Sequence, residues 1–512
     1  MSSNMASINA QTMLDENDET YKNGNSIDAF FTDSVVLLTG ATGFLGKALL
    51  EKLLRSCPHL SSIYILLRPK KGKTIEQRFR EMQKDPVFGR LRVVNPNAIN
   101  KVRPVKGDVS LPYLGLSPED RIMLTQRVNI VFHSAATVRF DEPLKVAVNL
   151  NTKGTDHVID LCKDMTNLVS IVYVSTAYSN ANRHEINESI YTTRLKLSTV
   201  IDMCDSLDDK TLNTLEKSIL EGHPNTYTFT KNLAEQVIWT KAVNLPISIV
   251  RPSIVGAAQK EPFPGWLDKC TGLSGVILEV ARGTVRLIKC NAKLAIDIVP
   301  VDYVIDTIIC ASWHSTIQQN NNKSIKVYNC TSSAGCLRWG FLAQLIEKYA
   351  IESPSKYIVW YPGVMTSTNT FMYKFITITL HFFPAIVVDL VSRLLGNKPL
   401  MMKAAKRYDR TTSAAQYFGM NEWKFHRNNM GDLTKKVKTL KDSSNFITDT
   451  DNLDWNTYIH TYVLGVRKYI LNENIDSSST FRKRLLILYW IHRLTQVSSI
   501  VTLVAMIKCI SY

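Results

Sequence analysis

No two cysteines in this chain are spaced as C-x-x-C, and the nine present are scattered from Cys57 to Cys509. An odd, scattered set excludes a disulfide framework and a zinc site and fits a reducing compartment such as the cytosol. No other cluster carries metal-ligand spacing, so no metal is expected. Residues 1–30 lack an apolar run and carry Asp15, Glu16, Asp18 and Glu19. That excludes a secretory signal and argues against an acid-poor transit peptide. Residues 1–32 read as a disordered tail. Internal repeats are absent as well. Negative charge is scarce: 45 Asp and Glu against 61 Lys and Arg leave a formal charge of +16. Such a balance favours anionic partners, whether nucleic acid, an acidic membrane surface or a phosphate-bearing small molecule, or else simple solubility.

What is present is a large foldable chain, 512 residues with 45% hydrophobic content, long enough for more than one domain. From Ser34 to about Pro300, short apolar runs alternate with helical stretches. Val35-Val36-Leu37-Leu38 is continuous, as a strand covered on both faces must be. Runs at 63–67, 129–132, 170–174 and 247–250 repeat the pattern. The rhythm predicts an α/β fold, a Rossmann-type doubly wound parallel sheet, over 33–330. After a polar break at 318–322 a mostly helical C-terminal domain is expected over 331–475.

The first strand runs into Thr39-Gly40-Ala41-Thr42-Gly43-Phe44-Leu45-Gly46, followed by a helical run. Between a buried strand and a helix, this loop is a strong sign of dinucleotide binding. Gly40 permits the turn, Gly43 lets backbone approach a pyrophosphate, and Gly46 lets the helix pack on the strand. The helix N-terminus offers amides and a positive dipole to phosphate. The G-x-x-G-x-x-G spacing resembles the extended branch of the short-chain dehydrogenase/reductase superfamily. Arg68 ends the second strand where NAD enzymes place a carboxylate, so a 2′-phosphate and NADPH are expected; a plain surface arginine beside Lys70 and Lys71 is the alternative. The same resemblance places Asp108 and Val109 at the adenine, Ala135 and Ala136 beneath the cofactor, Asn151 in an N-x-x-G-T signature, and Pro252 at the cofactor.

Tyr227 and Lys231 stand four residues apart, on one face if the segment is helical. A free phenol, with a pKa near ~10, is a slow acid at neutral pH, and a neighbouring ammonium is expected to pull it down. Lys231 is expected also to bond the nicotinamide ribose. Tyr173-Val174-Ser175-Thr176 ends a strand where the superfamily keeps a third catalytic hydroxyl, with Thr176 the better candidate and Ser175 the second.

The chain resembles the alcohol-forming fatty acyl-CoA reductases over almost all of its length after the tail. The opening glycine motif, Val138-Arg139-Phe140-Asp141-Glu142, the run from His223 to Lys231, Val250-Arg251-Pro252-Ser253, Glu261-Pro262-Phe263-Pro264-Gly265-Trp266 and Asp297-Ile298-Val299-Pro300 carry the likeness. Trp455-Asn456-Thr457-Tyr458 and Arg467-Lys468-Tyr469-Ile470 resemble that family's second domain, and Val463-Leu464-Gly465-Val466 departs from it. The resemblance implies reduction of a long-chain acyl-CoA by two NADPH to primary alcohol and CoA, with Tyr227 giving the proton and Thr176 a hydrogen bond. CoA phosphates would then use the basic excess, and nucleic acid is not expected. The run 262–266 shapes either an acyl entrance or a rigid structural loop.

Residues 485–510 follow Arg482-Lys483-Arg484 and would span about 39 Å as a helix against a hydrocarbon core of ~30 Å. His492 and Arg493 interrupt the segment. A transmembrane anchor is expected there over a surface helix, with the catalytic bulk cytosolic on endoplasmic reticulum or peroxisome. The stretch 371–396, broken by Pro384 and Asp389, reads as membrane-associated or as packed core. Competing readings are another extended-branch oxidoreductase (a hydroxysteroid dehydrogenase, a nucleotide-sugar epimerase or an aldehyde-forming acyl-CoA reductase) and a non-catalytic NADP-sensing binder.

Overall fold

The computed structural model describes residues 25–319, 324–333, 335–396, 398–399, 401–474 and 478–510. Most of the expected tail, up to residue 24, lies outside them. Residues 25–32 depart from the expectation of disorder. Ile27–Phe31 is a helix capped by Ser26, and Ile27, Phe30 and Phe31 are buried. Asp442 accepts the Ile27 and Asp28 amides at 3.0 Å each, so the helix end is satisfied from a distant segment.

The five expected strands are present, with two more at Val102–Lys106 and Lys326–Cys330. We label the seven β1 (Val35–Thr39), β2 (Ser62–Leu67), β3 (Val102–Lys106), β4 (Ile130–His133), β5 (Ser170–Val174), β6 (Ile247–Pro252) and β7 (Lys326–Cys330). They form one seven-stranded sheet in the order β7-β6-β5-β4-β1-β2-β3. Every pairing is parallel. Leu37, Val131, Ile171, Tyr173, Ile249 and Val327 share one buried cluster with Val158, Leu161, Ala234 and Ile238 from flanking helices. Their apolar runs are continuous because both faces are covered. The order reverses between β1 and β4. Such a switch point opens a crevice at the strand ends, where ligands bind in folds of this type.

The chain divides into two interleaved units instead of two consecutive domains. One runs to Val255 and adds Ile298–Ser333 and Trp423–Asp451; the other takes Gly256–Asp297, most of the segment up to Glu422, and residues from Asn452. The boundary expected at 330 is therefore one of several crossings. Trp423 explains the return to the first unit: its indole donates to the Ala181 carbonyl at 3.1 Å and packs edge-on against Tyr178.

In the second unit, helices Leu273–Ala281, Trp339–Glu352 and Trp455–Gly465 pack together. Tyr462 hydrogen-bonds Ser274 at 2.8 Å, and the Tyr458 phenol donates to the Ala257 carbonyl at 2.9 Å. Gly465 has a steric reason: a Cβ there would lie 1.9 Å from the Gly265 carbonyl oxygen. The 261–266 run thus meets a bare helix backbone, with Trp266 1% exposed, and the structural-loop reading of that run is the one the packing supports.

Residues 485–510 fall inside one long helix, Ser478–Ile510. Among the described residues no helix is long and apolar enough to cross a membrane, so the expected anchor finds no support there. Arg484, His492, Arg493 and Gln496 dilute the apolar run. The stretch 371–396 is also helical, in helices Thr370–Thr377 and Phe383–Leu394 joined by a π-helical turn at Ile378–Phe382. It is no packed core: Phe371, Phe375, Ile378, Phe383, Leu390 and Leu394 are 55–80% exposed.

Candidate active site

The glycine loop lies where the switch point requires it. Gly40 has φ +76°, and a Cβ on it would stand 2.7 Å from the Ala135 nitrogen. The ends of β1 and β4 can approach this closely only as bare backbone. A Cβ on Gly46 would lie 2.2 Å from the Gly40 oxygen, so the helix Phe44–Ser56 also packs directly on the turn. Gly43 is the N-cap of that helix, and no described side chain caps it. Thr42, Gly43, Phe44 and Leu45 are half-buried at the turn. Backbone-lined, uncapped and without an acid in its first turn, this N-terminus fits a dinucleotide pyrophosphate.

Thr39 and Ala135 are joined below the loop. The Ala135 amide donates to the Thr39 hydroxyl at 3.2 Å, and that hydroxyl meets His133 Nδ1 at 2.7 Å. Ala136 is half-buried beside Ala135. Asn151, expected among the cofactor-binding residues through its N-x-x-G-T signature, bonds the loop after β4. Its Oδ1 accepts the Thr137 amide at 2.9 Å, and its Nδ2 donates to the Thr137 carbonyl and the Thr230 hydroxyl at 3.1 and 3.0 Å. Both ends of the amide brace the loop after β4 against the helix Thr226–Lys241.

Beyond the ends of β2 and β3 lies a cavity of about 490 Å³ lined by Arg68, Lys70, Lys71, Lys106 and Asp108, among others. Arg68 is half-exposed, with Nη1 3.0 Å from Asp108. Burial raises the Asp108 carboxyl pKa, but the Ser110 amide and hydroxyl and the Arg68 guanidinium outweigh it and hold it below the ordinary range. Asp108 therefore aims Arg68, and Val109 behind it is buried. The sequence reading missed Arg78, whose guanidinium donates to the Arg68 carbonyl and reaches the Thr42 hydroxyl at 3.5 Å. Only the fold brings that arginine, ten residues downstream of Arg68, back to the glycine loop. These cations suit a 2′-phosphate.

The catalytic candidates gather at the ends of β5 and β6. Asn225 caps the helix Thr226–Lys241, its side chain accepting from the Thr228 amide. Tyr227 sits in the first turn and stacks on Phe140 at 6.0 Å between ring centroids. Thr176 is the side chain that acts on its phenol. Thr176 in turn lies 3.4 Å from the Pro252 carbonyl and accepts the Tyr178 amide at 3.3 Å. Burial pushes the Tyr227 phenol up to about 12 against the opposing pull of Thr176. The sequence expectation had the opposite sign. Lys231 does not depress the phenol here because its ammonium is held elsewhere, 2.7 Å from the Val174 carbonyl and 3.2 Å from the Tyr173 hydroxyl. Burial lowers Lys231 to about 7, with Glu235 opposing.

Ser175 is not part of this group. Its hydroxyl donates to Glu235 at 2.5 Å. Glu235 is fully buried and paired with Arg251, whose Nε and Nη2 reach it at 2.9 and 2.5 Å. Arg251 also donates to the Asn187 and Ser189 carbonyls. Sequence reasoning did not find this pair, although Glu235 follows Lys231 by one helical turn. The arrangement can present one protonated phenol, one supporting hydroxyl and one ammonium to a carbonyl, beside a site for a dinucleotide.

Comparison with known proteins fits this geometry. An NAD-binding family model described as male sterility protein matches residues 38–308, and a second of that description matches 380–473. Fatty acyl-CoA reductase 1 of Homo sapiens is 38% identical over 461 residues, covering 90% of this chain and 89% of that protein. The Drosophila melanogaster fatty acyl-CoA reductase wat is 36% identical over 473 residues, 92% of this chain and 91% of that protein. The terminal R domain from the myxalamid PKS-NRPS biosynthetic pathway shares the fold: TM-score 0.55 at 21% identity, over 87% of this chain and 93% of that one. With a family model over more than half its length and close relatives along nearly all of it, this chain belongs to the fatty acyl-CoA reductase family.

Proposed function

We propose that this chain reduces long-chain fatty acyl-CoA to the primary alcohol and CoA, using NADPH twice. The observation that carries this reading is Tyr227 and Lys231 on one buried helix, with Thr176 acting on the phenol, in a chain of this family. Residues 39–46, 135–136 and the Arg68 cluster would hold NADPH, which when bound supplies the hydride. Tyr227 gives its proton to the thioester oxygen as charge grows there, and Thr176 donates a hydrogen bond to the same oxygen. Collapse of the hemithioacetal sends its hydroxyl proton to the departing CoA sulfur, which leaves as the thiol, and gives an aldehyde whose oxygen takes a second proton from Tyr227. The phenol must therefore be reprotonated once between the two reductions. Lys231, on the same helix but bonded to Val174 and Tyr173, acts on the transient phenolate as a buried charge and not as a bonded partner.

The test is incubation with acyl-CoAs of graded length and either NADPH or NADH, with products separated. Primary alcohol is expected with NADPH; no reduction of any acyl-CoA would overturn the reading. The Arg68→Ala variant is expected to lower the NADPH-over-NADH preference in kcat/KM by about 10- to 100-fold, the scale of a lost charged hydrogen bond. An unchanged ratio would remove Arg68 from phosphate recognition.

The same reading places the enzyme on an intracellular membrane, endoplasmic reticulum or peroxisome, with its catalytic unit facing the cytosol. Support comes from the apolar stripe along 371–395. Ile386, Val387, Leu390, Val391, Leu394 and Leu395 repeat at helical spacing and are 43–80% exposed. The one acid of that stretch, Asp389, is buried and accepts the Met401 and Met402 amides. Lys374, Arg393, Lys398, Lys403 and Lys406 are exposed around it. An apolar face rimmed by cations suits an anionic bilayer surface. The full chain is expected to sediment with vesicles of phosphatidylcholine and phosphatidylserine. Replacing both Leu390 and Leu394 by Glu should lower partitioning about 10-fold or more. Undiminished sedimentation of that double variant would refute the attachment.

A further inference from the structure

Resting on the reading of Lys231 above, the structure points to a further positioning residue for the reaction. We propose that Tyr173, packed against His133, fixes the Lys231 ammonium in place and keeps it charged.

The argument is one of proton bookkeeping along a buried chain. The Thr155 hydroxyl has one proton and gives it to the Asn151 carbonyl at 2.7 Å, an oxygen that can only accept. Thr155 must then receive from its other neighbours. His133 Nε2, at 3.1 Å, therefore carries the ring proton. His133 Nδ1 is left as an acceptor for the Thr39 hydroxyl at 2.7 Å, whose oxygen takes the Ala135 amide. Burial and the nearby Lys231 charge lower the His133 pKa to about 3, so the ring stays neutral. Thr155 also acts on the Tyr173 phenol, opposing the effect of its burial, and the His133 ring lies 5.5 Å from the Tyr173 ring. The Tyr173 oxygen accepts from Lys231 Nζ at 3.2 Å, with the ring centroid 4.6 Å away. A backbone carbonyl thus orients the protons from Thr155 through His133 to Thr39, and the ordered His133 ring packs on Tyr173.

This matters because Lys231 is 3% exposed, and burial favours its neutral form. The groups around it are Tyr227 and Glu235 on its own helix, Tyr173 on β5 and His133 on β4. Glu235 is shared with Arg251 and Ser175, and His133 is neutral. Tyr173 and the Val174 carbonyl are the acceptors that hydrogen-bond the ammonium. Without the Tyr173 oxygen, less holds the proton on Lys231.

The experiment is the pH profile of kcat/KM for acyl-CoA reduction by the full chain. In the Tyr173→Phe variant the alkaline limb is expected to move down by about one pH unit, the effect of losing a hydrogen bond to a charged group. Thr155→Val should move it the same way, and Thr155→Ser should restore it. A Tyr173→Phe enzyme with the limb unmoved, whether active or uniformly slowed at every pH, would overturn the inference. Should that variant fail to fold, an unmoved limb in Thr155→Val would do the same. Failure of the underlying reading is distinguishable, because it would show as full activity in Tyr227→Phe.

Discussion

Tyr227→Phe is expected to lower alcohol formation about 10²- to 10⁴-fold, the range of a lost general acid. The phenol's surroundings make this the largest kinetic effect. Burial holds its pKa up at about 12, so at neutral pH the group is a protonated donor. Thr176 is the hydroxyl that acts on it, and Thr176 keeps the Pro252 carbonyl and the Tyr178 amide as partners when the phenol is gone. The variant keeps the ring stacked on Phe140, so cofactor affinity and thermal unfolding should change little. Product analysis by gas chromatography, with cofactor titration by fluorescence, separates the cases. Full activity would remove Tyr227 from the chemistry; lost activity with lost cofactor binding would assign it a structural part.

Glu235→Ala is expected to give the largest loss of stability, about 3–5 kcal/mol by chemical denaturation. Arg251 is fully buried and its guanidinium faces Glu235 at 2.5 Å. Removing the carboxylate leaves a buried cation with two backbone carbonyls and no counter-charge. Ser175 and Ser179, which donate to the same oxygen at 2.5 and 3.1 Å, lose their acceptor too. The β5 end carrying Thr176 is tied to β6 through this cluster, so activity should fall along with stability. Ser175→Ala, by contrast, removes one neutral donor and should cost about 1 kcal/mol with catalysis largely kept. A catalytic collapse in Ser175→Ala without destabilisation would return Ser175 to the chemistry.

Much of the fold was legible because it is written in local patterns. A strand buried on both faces must be apolar along its length, and β1, β2, β4, β5 and β6 all show this. The glycine loop was legible for a steric reason: no side chain fits at Gly40 or Gly46. The spacing of Tyr227 and Lys231 placed both on one helix, which they share.

Other features depend on what the chain brings together from afar. The interleaving of the two units is invisible in any window of sequence. So is the return of 423–451 to the sheet-bearing unit. Arg78 joins the cations around Arg68 only because its helix folds back to the glycine loop. Ser175 and Thr176 are neighbours in sequence with the same chemical group, yet they point to Glu235 and to Tyr227 respectively. Adjacent residues at a strand end face opposite sides, and the register with Glu235 decides which side is catalytic. The sequence alone determined the parallel sheet, the dinucleotide loop and the acid–ammonium pair, because sterics and periodicity act over a few residues. Tertiary structure alone decided the sign of the Tyr227 shift, the bracing role of Asn151 and the exposure of the 371–395 stripe. Burial and hydrogen-bond partners are properties of the packed chain, set by residues far from the one they act on.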